Sequence, residues 1–187
     1  MLFRSMNIII SGGGTGGHLF PALAIGDEIK RRYLDANIHY IGSKFGIEKD
    51  VLPVKNVNHS LLPIRGLQRT INLEGIGKNL LLPGRLMSSI SIIKSLFREI
   101  NPDLVIGTGG YACALPLREA IRKKVPTLIQ EQNSYPGVTT RWFADKANTV
   151  CIAFEEAQSY VKKKCILVGN PVRKEINSGN QIGRAHV

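Results

Sequence analysis

The apolar run Asn7-Ile8-Ile9-Ile10 stops at Ser11-Gly12-Gly13-Gly14-Thr15-Gly16-Gly17-His18, and Leu19 to Tyr33 follows at once. In that third segment Leu19, Leu23, Ile25, Ile29 and Tyr33 fall on roughly helical spacing. A strand that enters a glycine loop and leaves it as a helix admits few folds. The backbone N–H groups of such a loop and the helix N-terminus converge on one spot, where an anion is favoured. Glycine supplies positive φ there and lets the backbone approach the ligand. Gly12, Gly14 and Gly17 also satisfy G-x-G-x-x-G, the dinucleotide fingerprint. That fingerprint wants an acid after the second strand, whereas Ile41 is followed by Gly42-Ser43-Lys44. NAD is therefore disfavoured, while Ser43 and Lys44 suit the phosphate of NADP.

The same grammar recurs along the chain. Ile38 to Ile41 reads as a strand, Met87 to Ile100 as a helix, and Leu104-Val105-Ile106 as a strand running into Gly107-Thr108-Gly109-Gly110-Tyr111. A helix over Ala112 to Arg122, a strand at Thr127 to Ile129 and a helix around Val138 to Ala144 come next. A strand at Thr149 to Ala153, a short helix to Val161 and a strand at Cys165 to Val168 complete the series. Short, almost wholly apolar strands alternating with helices predict an α/β fold. It is a Rossmann-like parallel sheet with helices on both faces. Lys55 to Arg85, with Pro63, Pro83 and several glycines, reads as a loop or irregular insertion. Met1 to Ser5 read as an upstream extension. After Arg173 the pattern dissolves, and Ile182 to Val187 resembles translated adapter sequence, so the chain is expected to be a fragment.

The second glycine loop has two readings, another anion cradle on the same sheet edge or a tight turn. His18 falls in the first turn of its helix, facing the expected crevice, and imidazole is the side chain most easily poised as a base near neutral pH. Gln130-Glu131-Gln132-Asn133 follows a strand, so its hydrogen-bonding groups emerge at the carboxyl edge and suit a polyhydroxylated or amide-bearing ligand. Glu131 is a second acid/base candidate, with a capped loop as the plain alternative.

The 187 residues, 43% hydrophobic and 21% charged, suffice for one domain with a real core. Cys113, Cys151 and Cys165 are odd in number and never form C-x-x-C, so neither a disulfide framework nor a cysteine metal site is supported. No carboxylate cluster is spaced for a metal. Lys+Arg exceed Asp+Glu by 25 to 14, giving +11, which points to anionic partners. No recognisable reading helix is present and aromatics are only 6%, so a nucleic-acid-binding module is disfavoured, though charge alone keeps it as a rival.

Four motifs together are more specific than any one. These are Gly13-Gly14-Thr15-Gly16-Gly17-His18 with Pro21-Ala22; Thr108-Gly109-Gly110-Tyr111; Glu131-Gln132-Asn133 with Pro136-Gly137 and Thr140; and Gly169-Asn170-Pro171-Val172-Arg173. In order and spacing they resemble the MurG family of peptidoglycan glycosyltransferases, over about Met6 to Lys174. The resemblance implies transfer of N-acetylglucosamine from UDP-N-acetylglucosamine to lipid I, making lipid II, with inversion at the sugar. It implies the N-terminal half of a GT-B glycosyltransferase: residues 6–174 as the acceptor-binding domain, 1–5 as an extension, 175–187 as a tail, and the C-terminal donor domain absent. It also implies that Thr15, Gly16, Gly17, Asn133 and Arg173 contact the donor, that Gly13, Gly14, Gly109, Gly110 and Tyr111 hold the acceptor diphosphate, and that His18 is a candidate base or a sugar contact. No protein-bound cofactor is implied; a divalent cation would arrive with substrate.

From Lys55 to Arg98 seven basic residues face Glu74 alone, so this segment carries +6 of the +11. Ile71, Leu73, Ile76, Leu80 and Leu81 are interleaved with Lys78 and Arg85. Such a segment is either a solvated face over core leucines or a patch for an anionic membrane surface. Since the family's acceptor is lipid-anchored, the resemblance favours the patch and a peripheral place on the cytoplasmic face of the bacterial plasma membrane. An NADP-dependent oxidoreductase domain remains the enzymatic rival.

Overall fold

The computed structural model describes residues 5–66 and 82–172. Seven parallel strands form one sheet: β1 (Asn7–Ser11), β2 (Asn37–Ser43), β3 (His59–Leu62), β4 (Leu104–Gly107), β5 (Thr127–Glu131), β6 (Thr149–Ile152) and β7 (Ile166–Leu167). Their order is β3-β2-β1-β4-β5-β6-β7, so the chain reverses direction across the sheet between β1 and β4. The helices are α1 (Gly16–Arg32), α2 (Glu48–Val54), α3 (Leu82–Ile100), α4 (Ala114–Lys123) and α5 (Val138–Phe143).

Alternate residues of β1 explain the layering. Ile8 and Ile10 pack with Leu19 and Leu23 of α1 and Leu52 of α2. Ile9 turns the other way, into a cluster with Ile93 and Phe97 of α3 and Leu117 and Ala120 of α4. Both faces of the sheet are thus covered, as the apolar strands predicted. Lys30, Arg31 and Arg32 close α1 where cations complement the helix dipole. Lys124 ends α4 in a left-handed conformation, donating its N–H to Ala120 and Ile121 carbonyls.

Several boundaries differ from the expectation. The segment from Lys55 to Arg85 is not wholly irregular: β3 lies in it and α3 already starts at Leu82. β3 is an edge strand bonded only to β2, so its residues are mostly half-buried and lack an apolar run. The seven-residue α2, with Pro53 inside it, is too short to show helical periodicity. The predicted helix after Gly110 opens as a 3-10 turn, Tyr111–Cys113, and the one before Val161 is wholly 3-10, Glu155–Tyr160. Readings placed on residues 1–4, on the chain beyond Val172 and on most of the apolar basic segment lie outside the described residues.

Candidate functional site

The register of β1 against β4 builds the site. Ser11 pairs with Gly107, so the two glycine loops leave the sheet side by side at the reversal point, where open α/β sheets bind ligands. The second loop is more than a tight turn. Gly13 donates its N–H to the Gly109 carbonyl at 3.3 Å, and Thr108 donates its Oγ1 hydrogen to the His18 carbonyl at 2.8 Å. A Cβ on Gly110, whose φ is +78°, would stand 1.9 Å from the Gly13 carbonyl oxygen. The Gly110 carbonyl is pinned in turn by Thr139 Oγ1 at 3.1 Å and Cys113 Sγ at 3.2 Å. Burial pushes the Cys113 thiol up to about 12, so it serves there as a neutral donor.

The N–H groups of the first loop divide. Gly13 and Gly14 are engaged within the protein, Gly14 donating to Oε1 of Glu48 at 2.5 Å. Gly16 and Gly17 open α1, where no intrahelical acceptor exists, and have no partner among the described residues. With Thr15, His18, Gln132 and Asn133 they line a cavity of about 510 Å³, which Asn170, Pro171 and Val172 also border. Thr15, Gly16, Gly17 and Asn133, the residues expected to contact a donor, therefore line one cavity with His18; Arg173 lies outside the described residues. Gly13, Gly14, Gly109, Gly110 and Tyr111, the residues expected to hold an acceptor diphosphate, form the interlocked loops beside it. Tyr111 lies against Gly14 and donates to Ser43 Oγ at 3.3 Å.

His18 is held in one tautomer. Its Nδ1 lies 3.0 Å from the Thr108 carbonyl oxygen and 3.1 Å from Gln132 Oε1. Gln132 Nε2 donates to the Gln130 carbonyl at 2.9 Å, which leaves Oε1 as the atom facing the imidazole. Both neighbours are acceptors, so Nδ1 carries the hydrogen, and the neutral ring keeps its lone pair on Nε2.

Glu131 has a different place. It is 1% exposed, and its carboxylate accepts from Asn133 N at 3.0 Å, Asn133 Nδ2 at 2.8 Å, Gly137 N at 3.0 Å and Thr140 Oγ1 at 2.6 Å. Four donors leave it no free lone pair directed at the cavity, so it folds the loop after β5 instead of facing substrate. Gln130, equally buried, ties β5 to the Gly169 carbonyl at 3.1 Å.

Two other expectations change. Ser43 is fully buried and donates to the Ile64 carbonyl at 2.7 Å while accepting from Phe45 N and Tyr111, so it offers no donor to an NADP phosphate. Of the membrane-patch residues only Arg85 is described. Its guanidinium stacks 4.9 Å from the Phe45 ring centroid with Nη1 buried, packed onto the protein. Among the described residues no group of three or more His, Cys, Asp and Glu is placed to hold a metal ion. Sequence reasoning missed Glu48, because no motif marks it; only the fold brings it under the glycine loop.

A doubly wound parallel sheet with paired glycine loops at its reversal point and a polar loop closing one side is the half-fold of GT-B glycosyltransferases. The chain belongs to glycosyltransferase family 28: the profile described as Glycosyltransferase family 28 N-terminal domain matches residues 8–152. It is 43% identical over 180 residues to a Christiangramia forsetii protein named "UDP-N-acetylglucosamine--N-acetylmuramyl-(pentapeptide) pyrophosphoryl-undecaprenol N-acetylglucosamine transferase", covering 96% of this chain and 48% of that one. A Flavobacterium psychrophilum protein of the same name is 42% identical over 171 residues, 91% of this chain and 46% of its own. The crystal structure of Acinetobacter baumannii MurG shares the fold, with a TM-score of 0.72 at 22% identity over 96% of this chain and 50% of that one. The chain thus spans about half the length of the curated relatives it matches.

Proposed function

We propose that this chain is the acceptor-side half of an inverting N-acetylglucosaminyltransferase that moves N-acetylglucosamine from UDP-N-acetylglucosamine to lipid I, giving lipid II. The observation that carries the reading is the single cavity in which His18 presents a lone pair beside the unengaged N–H groups of Gly16 and Gly17. The names of the relatives supply the substrates. In the reaction the muramyl 4-hydroxyl attacks the anomeric carbon of the donor sugar, the bond from that carbon to UDP breaks, and the hydroxyl proton passes to His18 Nε2. Charge on the departing diphosphate is met by the Gly16 and Gly17 N–H groups, the N-terminal end of α1 and Arg173. Asn133, whose Nδ2 is bound to Glu131, keeps Oδ1 for a sugar hydroxyl. The protein holds no cofactor in this scheme, and any divalent cation travels with the diphosphate.

Peripheral attachment to the cytoplasmic face of the plasma membrane belongs to the same reading. Among the described residues no helix is long and apolar enough to cross a membrane. Leu86 and Met87 are exposed near the start of α3, and farther along it Lys94 and Arg98 border a cleft with Arg118, Arg122 and Lys123 of α4. That cluster supports contact with anionic lipid better than Arg85 does.

The test joins this chain to the downstream half of the Christiangramia forsetii relative and follows labelled N-acetylglucosamine onto a lipid I analogue. Transfer is expected, and His18→Ala should lower turnover about 10²- to 10⁴-fold, the range of a lost general base, in a chimera that still folds. A folded chimera that binds donor yet leaves the lipid I analogue unmodified, or one indifferent to His18→Ala, would overturn the reading.

A further inference from the structure

Glu48 belongs to no motif, yet the fold is built around it. It is fully buried at the start of α2, and Oε1 accepts the Gly14 N–H at 2.5 Å across 34 positions of sequence. Three glycines hollow out its niche. A Cβ would fall 1.4 Å from Oε1 at Gly13, 1.9 Å from Oε2 at Gly46 and 2.7 Å from the Glu48 Cβ at Gly42. Oε2 is buried and has no hydrogen-bond partner among the described residues. A buried oxygen left unpaired is destabilising, and such groups are rare in native proteins unless something else requires them. Stability alone does not select a carboxylate here.

What the carboxylate does select is the conformation of the loop. Gly14 has φ +91° and the Tyr111 ring lies beside it, so Glu48 on one side and Tyr111 on the other fix the loop one residue before Thr15. From Thr15 onward the chain gives the cavity its N–H groups and the imidazole. We propose that Glu48 is a positioning residue: by holding the Gly14 N–H it sets the first glycine loop so that Gly16, Gly17 and His18 face the cavity. The hold on the loop follows from the geometry alone; its effect on donor affinity rests on the function proposed above.

The experiment reads amide exchange at Gly14 by NMR in the isotopically labelled 187-residue chain, and affinity for UDP-N-acetylglucosamine by titration of the chimera described above. Glu48→Gln keeps an acceptor for the N–H, so exchange and affinity should stay within about twofold of wild type. Glu48→Ala, and Glu48→Asp if alanine does not fold, withdraw the acceptor; Gly14 should then exchange about tenfold faster, as expected for loss of a buried hydrogen bond. Donor affinity should fall about tenfold in chimeras carrying the same substitutions, at a temperature where they remain folded. Unchanged Gly14 exchange in the alanine or aspartate variant overturns the hold on the loop. Faster exchange with unchanged affinity overturns the positioning role and leaves Glu48 purely structural. If the wild-type chimera shows no donor binding at all, the proposed function is what fails, and the exchange data still decide whether Glu48 holds the loop.

Discussion

Glu131→Ala separates a loop clamp from a catalytic acid. Its carboxylate accepts four hydrogen bonds, and such bonds to a charged group contribute about 1.5–3 kcal/mol each, without adding fully. Asn133 and Gly137 are exposed and recover water when the carboxylate goes, whereas Thr140 is buried and its hydroxyl does not. The alanine variant should therefore lose about 2–4 kcal/mol, a fall in Tm of about 4–16 °C for a domain of this size. Glu131→Gln retains one oxygen for Asn133 but turns an amide against the Gly137 N–H, and should lose about 1.5–3 kcal/mol. Thr140→Val should be costly alone and add little to Glu131→Ala, because both remove the same bond. Urea and thermal unfolding followed by circular dichroism give all four values. If Glu131→Ala unfolds within about 0.5 kcal/mol of wild type, the size of an ordinary surface substitution, the clamp argument is wrong and Glu131 returns as a candidate for the chemistry.

Further expectations follow from the same packing. Gly110→Ala should destabilise by about 3 kcal/mol or more, from overpacking and positive φ together, since its Cβ meets the Gly13 carbonyl. Gly84→Ala, in α3 with none of the described residues within 4 Å, should instead gain about 0.5–1 kcal/mol; equal effects in thermal unfolding would contradict both. Burial raises the Cys113 thiol from 9.0 to about 12, so the folded protein holds that proton more tightly. The resulting stability is complete below pH 9 and is lost as pH climbs from 9 toward 12. Urea midpoints should fall across that window, less steeply in Cys113→Ala, and iodoacetamide at pH 9 should label Cys165 before Cys113. Sedimentation with phosphatidylglycerol vesicles should carry the chain down at low salt and release most of it near 1 M, where the screening length is about 3 Å; salt-independent or absent binding rejects the membrane surface.

What the sequence disclosed depended on how local the signal is. β1, its glycine loop and α1 are legible because a buried parallel strand is a continuous apolar run and because glycines stand where the chain turns into a helix. β3 begins His59-Ser60 and borders one strand, so half-burial erases its signature. Ser43-Lys44 looked like phosphate ligands because residue type alone does not reveal that Ser43 is buried and bonded to Ile64. Glu131 looked like an acid/base for the same reason. The Gln132 contact that orients His18, and the glycine niche around Glu48, join positions tens of residues apart and are visible only once the strands are in register.

The pairing of two glycine loops, redundant for a ligand with one phosphate cradle, follows from what each loop does to the other. Thr108 accepts the His18 Nδ1 hydrogen with its carbonyl and donates its hydroxyl to the His18 carbonyl, so one residue of the second loop fixes both the ring and the backbone of the histidine. Gly109 accepts from Gly13, and Gly110 can approach Gly13 only because it has no side chain. With Gly13 and Gly14 engaged in this way, the first loop offers a ligand the N–H groups at its Thr15 end and at the start of α1, which have no partner among the described residues. The second loop therefore acts on the chemistry by aiming the first, and a substitution at Thr108 that keeps its size but removes the hydroxyl, Thr108→Val, should slow transfer in the chimera while leaving the Gly13–Gly109 bond in place. Loss of amide protection at Gly13 in that variant would show that the two loops depend on Thr108 for their docking as well, and would refute this separation of roles.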